Sequence, residues 1–405
     1  MTNILAVTYW SFREPIFQSG ALPYLRIIAR TLPKGSTLYV LTLEKDNYNI
    51  SKEEEEKILT DLHAHNIRLI RKRYYRFGLM ALISWSLYLF HLTFICFSKN
   101  IRFIHAFGAP AGSIGYLLSK ITGKQLILDC FEPHAEAMTE NGTWTKESLA
   151  FKMQFKFEKL QLQRASAVIA HTLLISEYVK RKHEVLISKL YVRSNFVDFK
   201  LFDPANLVPE NTRKSLGIAA DDIICIYSGK VGGIYLEDEL FEFFKTASEY
   251  WKNKFKAILL SDISPQALSD YLQKYSIDPN TVSAMLVPHS KVPEYLSAAN
   301  FAICAVKPIP TKLYCSPIKT GEYWAMGLPV VIPKNIGKDS ALIEQEQIGA
   351  VLSALNKEEY SLAVSKINSL FNPDKIMSLK EKIISIARKH RGIEAVESIY
   401  KEIYS

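Results

Sequence analysis

The chain has 405 residues, too many for one ordinary core, and its length suggests about two or three domains. With 48% hydrophobic and 22% charged residues it has the composition of a folded globular protein, which excludes a disordered one. A net charge of +9 suits partners such as nucleotide phosphates or anionic lipid, while the lack of a basic tail or zinc-finger spacing argues against nucleic acid as a partner.

Short apolar runs alternate with helical patterns almost from end to end, the signature of parallel α/β sheets. In the first half, strands are expected at 4–10, 36–43, 67–73, 102–108, 125–131, 167–172 and 189–195. Helices are expected near 21–32, 52–65, 78–98, 112–122, 146–164 and 174–183. No charged leader precedes ILAVTY, so no signal peptide is expected. Residues 79–97, LMALISWSLYLFHLTFICF, carry no formal charge and approach the length of a membrane span. They read first as a buried core helix, then as a helix lying in a membrane interface, and last as a span. A span would put the flanking strands on opposite sides of the bilayer. Arg68, Arg71, Lys72, Arg73 and Arg76, interleaved with Tyr74 and Tyr75, favour the interfacial alternative, since each basic group near an anionic leaflet adds about 1 kcal/mol.

Residues 196–222 show no sustained period and read as a linker. Strands resume at 223–229, 256–261, 282–287, 301–306 and 329–332, and a helical tail runs from about 375 to 403. Two doubly wound α/β domains follow, with a shared cleft at the carboxyl ends of their strands as the expected active site. The expected division is 1–198, 199–385, and a C-terminal helix 386–405 packing back on the first domain. Cys96, Cys130, Cys225, Cys304 and Cys315 form no paired pattern, which fits a reduced, cytoplasmic protein.

The densest signal is SPIKTGEYWAMGLPVVIP, residues 316–333. Ser316 reads as an N-cap, Pro317 as the first helical residue, and Gly327 with Pro329 as the stop before a strand. Lys319 then falls in the first turn, where a cation is unfavourable by roughly 0.3–1 kcal/mol. A phosphate at the helix N-terminus reverses the sign, because amides, dipole and Lys319 converge on it. Glu322, on the same face, accepts well from two sugar hydroxyls, and phosphate plus ribose means a nucleotide. The alternative is that Lys319 and Glu322 pair on a solvated helix face.

The same motif resembles the nucleotide-sugar motif of family 4 glycosyltransferases, retaining enzymes of the two-domain GT-B fold that build bacterial surface polysaccharides. VPEYLSAANFAICAVKP (292–308), VRSNFVDFKLFDP (192–204) and EKLQLQRASAVIAHT (158–172) are similar to other stretches of that family. The resemblance implies a GT-B fold and transfer of a sugar from a nucleotide-diphosphate sugar to a saccharide or lipid-linked hydroxyl. It implies a place in lipopolysaccharide, capsule or exopolysaccharide synthesis; an acceptor on a lipid carrier would suit the basic-aromatic flank before residue 79 and set the protein peripherally on the cytoplasmic face of the inner membrane. It implies no cofactor and no metal, and the sequence has no evident DxD-like pair. A UDP-sugar epimerase or other GT-B enzyme, and a non-catalytic scaffold on this fold, stay open as alternatives.

By the resemblance Glu322 holds the ribose, and the amides beginning at Ser316, Ile318 and Lys319 meet the diphosphate. The family's paired acidic residue, eight positions before Glu322, is Tyr314 here. In YSGKVGGIYLEDE, Lys230 replaces the usual Arg, but Tyr235 or Leu236 stands where a Lys is usual, so Lys319 becomes the candidate for the missing cation. Gly232 and Gly233 would expose amides to the phosphates. Ser19 and Gly20 stand where the family often has two glycines in the loop after the first strand; a plain turn glycine is the alternative for Gly20. Asp129, Glu132 and His134 follow the fifth strand, where this fold places groups near sugar and acceptor. His134 is the candidate for sugar or acceptor contact, against a loop histidine paired with a carboxylate. His105, after the fourth strand, is expected first as a core histidine, with a place facing the cleft as the alternative; His171 and His289 are expected to be structural.

Overall fold

A computed structural model describes residues 2–75 and 79–405 of the chain; Arg76, counted above in the basic flank, lies outside the described residues. Two compact units form, one from Met1–Arg193 with Glu394–Ser405, the other from Ser194–Ile393.

The first unit is built on seven strands: β1 (Asn3–Val7), β2 (Leu38–Glu44), β3 (Ile67–Arg73), β4 (Ile101–Phe107), β5 (Gln125–Asp129), β6 (Ala165–Ala170) and β7 (Leu190–Val192). Their order is β3-β2-β1-β4-β5-β6-β7, and every pairing is parallel. The second unit holds β8 (Ile223–Ser228), β9 (Phe255–Leu260), β10 (Val282–Met285), β11 (Phe301–Ile303), β12 (Val330–Pro333) and β13 (Gly349–Leu352), in the order β10-β9-β8-β11-β12-β13, again parallel. Helices cover both faces of such sheets, which is why the central strands read as continuous apolar runs; Ile4 to Val7 and Ile224 to Tyr227 are completely buried. Strand order reverses between β1 and β4 and between β8 and β11, giving each sheet one switch point.

Three expectations change. β13 was not anticipated, because a four-residue run opening on glycine carries little strand signal; a Cβ on Gly349 would sit 2.1 Å from the Val330 carbonyl oxygen. Residues 196–222 are no free linker. They include the helix Pro209–Ser215 and belong to the second unit; Arg213 fastens them to the rest of it through the Ala298 carbonyl (3.0 Å) and Asn300 (2.8 Å), and closes on the segment's own Ala219, Ala220 and Asp222 carbonyls. The single tail helix is two, Ile376–Arg391 and Ile393–Tyr404, divided at extended Gly392.

The helix Leu79–Ser98 is buried along one side only, through Ala81, Ser84, Leu92, Ile95 and Cys96. Met80, Ile83, Leu87, Phe90, Phe94 and Phe97 are exposed, Phe90 by 79%. Their alternating three- and four-residue spacing puts them on one outward stripe, so the first reading, a buried core helix, is corrected. Among the described residues no helix is long and apolar enough to cross a membrane.

Candidate functional site

The loops after β8 and β11, residues 229–237 and 304–317, flank the switch point of the second sheet, where open α/β sheets take ligands. The helix Ile318–Ala325 follows. Its N-cap is Pro317, in extended conformation, and no side chain caps the first turn. Ser316 does not act as the cap because its hydroxyl is engaged elsewhere. It accepts from the Asn195 amide (3.1 Å) and from the Arg391 guanidinium. Arg391 is fully buried and also reaches Asp339 (2.5 Å) and the Asn195 carbonyl (3.2 Å). Burial pushes the Asp339 carboxyl up while Arg391 pulls it down. Gly321 gives Arg391 its room, since a Cβ there would come within 2.8 Å of Val197 and 3.3 Å of Arg391. The chain is thus anchored just before the helix, and the first-turn amides of Ile318 and Lys319 lack a side-chain partner.

Lys319 is the second helical residue, and it folds back toward the loop after β8. Its Nζ donates to the Tyr227 hydroxyl (3.1 Å) and lies over the rings of Tyr227 and Tyr235, 4.7 Å and 3.8 Å from their centroids. Tyr227 in turn donates to the Lys230 carbonyl (2.6 Å), and the Tyr323 hydroxyl accepts from the Ser228 amide (2.9 Å), tying helix to strand end. Gly229 makes the approach feasible: its φ is +143°, and a Cβ would fall 2.0 Å from Nζ. Lys319 makes no ion pair among the described residues. Burial therefore pulls its pKa down to about 8, against weak opposing pulls from Cys304 and Glu322. An ammonium held this way, on a helix whose first turn has no side-chain cap, is suited to an anion.

Glu322, one turn later, is 6% exposed. It does not pair with Lys319; Oε1 accepts from His289 Nε2 at 2.7 Å. The imidazole packs on Phe202 (ring centroids 5.5 Å), and its pKa is raised, first by the Glu322 hydrogen bond and further by the charges of Glu322 and Asp198, against burial. His289 was expected to be structural. No local signal links it to a carboxylate 33 residues away. Gly229 and Arg391 were also missed; the Gly-Lys pair ending β8 was the one legible hint.

Lys230 is exposed, in the same loop as Gly232 and Gly233, which have φ of +83° and +66°. Lys319 therefore reaches the loop after β8 that carries Lys230 and these glycines, and Glu322 lies one turn along the same helix.

The remaining candidates belong to the first unit. Ser19 and Gly20 are not in a loop: they close the helix Pro15–Gly20, Ser19 donates to the Pro15 carbonyl (2.8 Å), and nothing at Gly20 requires glycine. Asp129, expected near sugar or acceptor, is completely buried. Its oxygens accept from Arg193 (2.6 Å), the Cys130 amide (2.7 Å), His105 (3.1 Å) and Tyr400 (2.5 Å), so it anchors the fold. These partners hold its pKa well below the usual carboxylate range despite burial. Glu132 is half-buried, 3.7 Å from His171. His134 opens the helix His134–Glu140 with its ring edge-on to Trp144 (5.7 Å).

Two doubly wound, Rossmann-like parallel units in one chain are the GT-B architecture. No protein-family model matches the chain, and no curated protein matches its sequence. Solved structures match along its whole length. Sucrose-phosphate synthase from Thermosynechococcus elongatus is 16% identical with a TM-score of 0.73, covering 100% of this chain and 98% of that one. HepE from Anabaena, in complex with UDP, is 16% identical with a TM-score of 0.72, covering 100% and 99%. WaaG, a glycosyltransferase involved in lipopolysaccharide biosynthesis, is 12% identical with a TM-score of 0.70, covering 100% and 99%.

Proposed function

We propose that this protein is a glycosyltransferase that moves a sugar from a nucleotide-diphosphate sugar to a hydroxyl acceptor with retention, in bacterial surface-polysaccharide synthesis. The observation that carries the reading is Lys319, an ammonium with depressed pKa and no counter-ion among the described residues, in the first turn of a helix with no side-chain cap and one turn from a buried carboxylate. Such a group is electrostatically incomplete without an anion. The likeness to HepE, whose structures include complexes with UDP and with UDP-glucose, supports a nucleotide sugar as that anion. The likeness to WaaG supports the polysaccharide pathway.

In this reading Lys319, Lys230 and the amides of Ile318 and Gly233 stabilise the diphosphate as the glycosidic bond breaks; the Gly232 amide, expected to share this task, donates instead to the Leu236 carbonyl (3.4 Å). Glu322 accepts from the ribose hydroxyls. The departing phosphate takes the acceptor's proton on the face it leaves, so retention needs no strong protein base, and the lysines supply the positive charge without a metal. His134 and Glu132 are the groups assigned to sugar or acceptor.

The acceptor is assigned to a lipid carrier, with the protein resting on the cytoplasmic face of an anionic bilayer. Two observations support this. The outward stripe of the 79–98 helix is apolar from Met80 to Phe97. The first unit has 27 basic against 19 acidic residues, a net +8, while the second has 23 against 22, a net +1. Of the basic flank, Arg71 is paired with Glu55 (2.7 Å), while Lys72, bonded to His91 (2.8 Å), keeps its charge close to the stripe.

A thermal-shift panel of UDP, GDP, ADP and their sugars tests the donor reading. One nucleotide series should stabilise the protein, and Glu322→Ala should abolish the shift; no shift with any nucleotide overturns it. Cosedimentation with anionic vesicles tests the membrane reading. It should be lost on the double change Phe90→Ser, Phe94→Ser, and unchanged binding refutes it.

A further inference from the structure

We propose that His289 is a positioning residue for Glu322, holding one carboxylate oxygen so that the rest of the group is aimed at the vicinal diol of a ribonucleotide; this rests on the assignment of Glu322 to the ribose. The geometry carries it. The Glu322 side chain is 8% exposed and that of His289 57%, so the imidazole reaches in from the surface to a sunken carboxylate. The contact is 2.7 Å, between Nε2 and Oε1. Because the carboxylate only accepts, Nε2 carries the proton in either the neutral or the charged ring.

A surface histidine adds only modestly to stability through such a pair, since solvent screens it. Orientation is a different matter. A glutamate has three side-chain torsions, and a free carboxylate would meet the two hydroxyls in many poses. With Oε1 fixed, Oε2 and the remaining lone pairs of Oε1 are the acceptors left for the diol. The imidazole is itself braced, by the Phe202 ring at 5.5 Å. The charged groups facing it are Glu322 from the 318–325 helix and Asp198 from the segment before Phe202. Both are acidic, so they favour the charged ring. The site so built selects a ribonucleoside diphosphate over one without the diol.

Calorimetric titration with UDP and with 2′,3′-dideoxy-UDP tests this on the full chain. The wild type should prefer UDP. His289→Phe, which keeps a ring and removes the donor, should weaken UDP by about tenfold and leave the dideoxy ligand within about twofold. His289→Gln, whose side-chain amide donates in a similar place, should recover most of the preference. A merely structural role would weaken both ligands together and would not be rescued by glutamine; either result overturns the proposal. Glu322→Gln separates the two levels. If it loses the preference while His289→Phe keeps it, only the role of His289 falls. If it keeps the preference, or if none of UDP, GDP and ADP binds the wild type, the ribose reading falls and this inference with it.

Discussion

Replacing Lys319 by methionine should make the unliganded protein more stable while damaging nucleotide binding. In the folded chain the ammonium is pushed from its ordinary 10.5 down to about 8, because burial takes away water and no carboxylate replaces it. Below pH 8 the protein therefore carries a charge that the unfolded chain would solvate better. A drop of that size corresponds to about 3 kcal/mol. Residual solvent at the half-buried side chain and the two tyrosine rings, worth about 0.5–1 kcal/mol each as cation–π partners, reduce the net gain to about 1–2 kcal/mol. Methionine is unbranched, matches the apolar stem and packs on aromatic rings. For a unit of roughly 200 residues, each kcal/mol raises Tm by about 2–4 °C, so the variant should melt about 2–8 °C higher at pH 7.

The sign with pH follows from the same shift. Between about 8 and 10.5 the unfolded chain binds more protons than the folded one, so wild-type stability rises with pH there, and the advantage of Lys319→Met fades. Binding behaves oppositely. A diphosphate favours the ammonium, so wild-type affinity should be flat below pH 8 and fall about tenfold per pH unit just above it, a slope absent in the variant. At pH 7 the variant should bind UDP about ten- to a hundredfold more weakly. Scanning calorimetry and titration calorimetry across pH 6.5–9.5 measure both. A variant that is no more stable and binds with unchanged affinity would refute the idea that this lysine is held in strain for an anion.

Gly229→Ala should weaken UDP binding by about tenfold or more and also lower Tm, because its Cβ displaces the Lys319 ammonium and the backbone there, at φ +143°, suits glycine; titration calorimetry beside a melting curve distinguishes it from Lys319→Met, which raises Tm. Asp129→Ala should destabilise the first unit by about 3–5 kcal/mol in urea unfolding, since it leaves Arg193 buried without its carboxylate; a loss below about 1 kcal/mol would show that the anchor is dispensable. The His289–Glu322 pair has a raised imidazole pKa, so its contribution to stability is full below pH 6.5 and fades as pH rises through the folded value. The Tm gap between wild type and His289→Phe should be widest near pH 6 and small by pH 9, and a pH-independent gap counts against an ionic pair.

The sequence by itself determined the α/β alternation, the parallel sheets, and a helix beginning near 318 with Lys319 and Glu322 in it. These are local matters: strand runs, a proline at the start, a glycine stop, and a spacing of three residues are all written in neighbours along the chain. Tertiary structure decided what those residues do. Lys319 meets Tyr227, 92 positions away, and Glu322 meets His289, 33 away. Asp129, legible as a candidate because it ends a strand, turned out to be buried by Arg193 and by Tyr400 from the last helix. The 79–98 helix could be read as apolar, but which of its sides lacked cover could not. Burial and desolvation arise from what packs against a residue from distant parts of the chain, and a linear pattern of polar and apolar letters does not contain that neighbourhood. The charge on Lys319 was in the sequence; its depressed pKa was made by the fold.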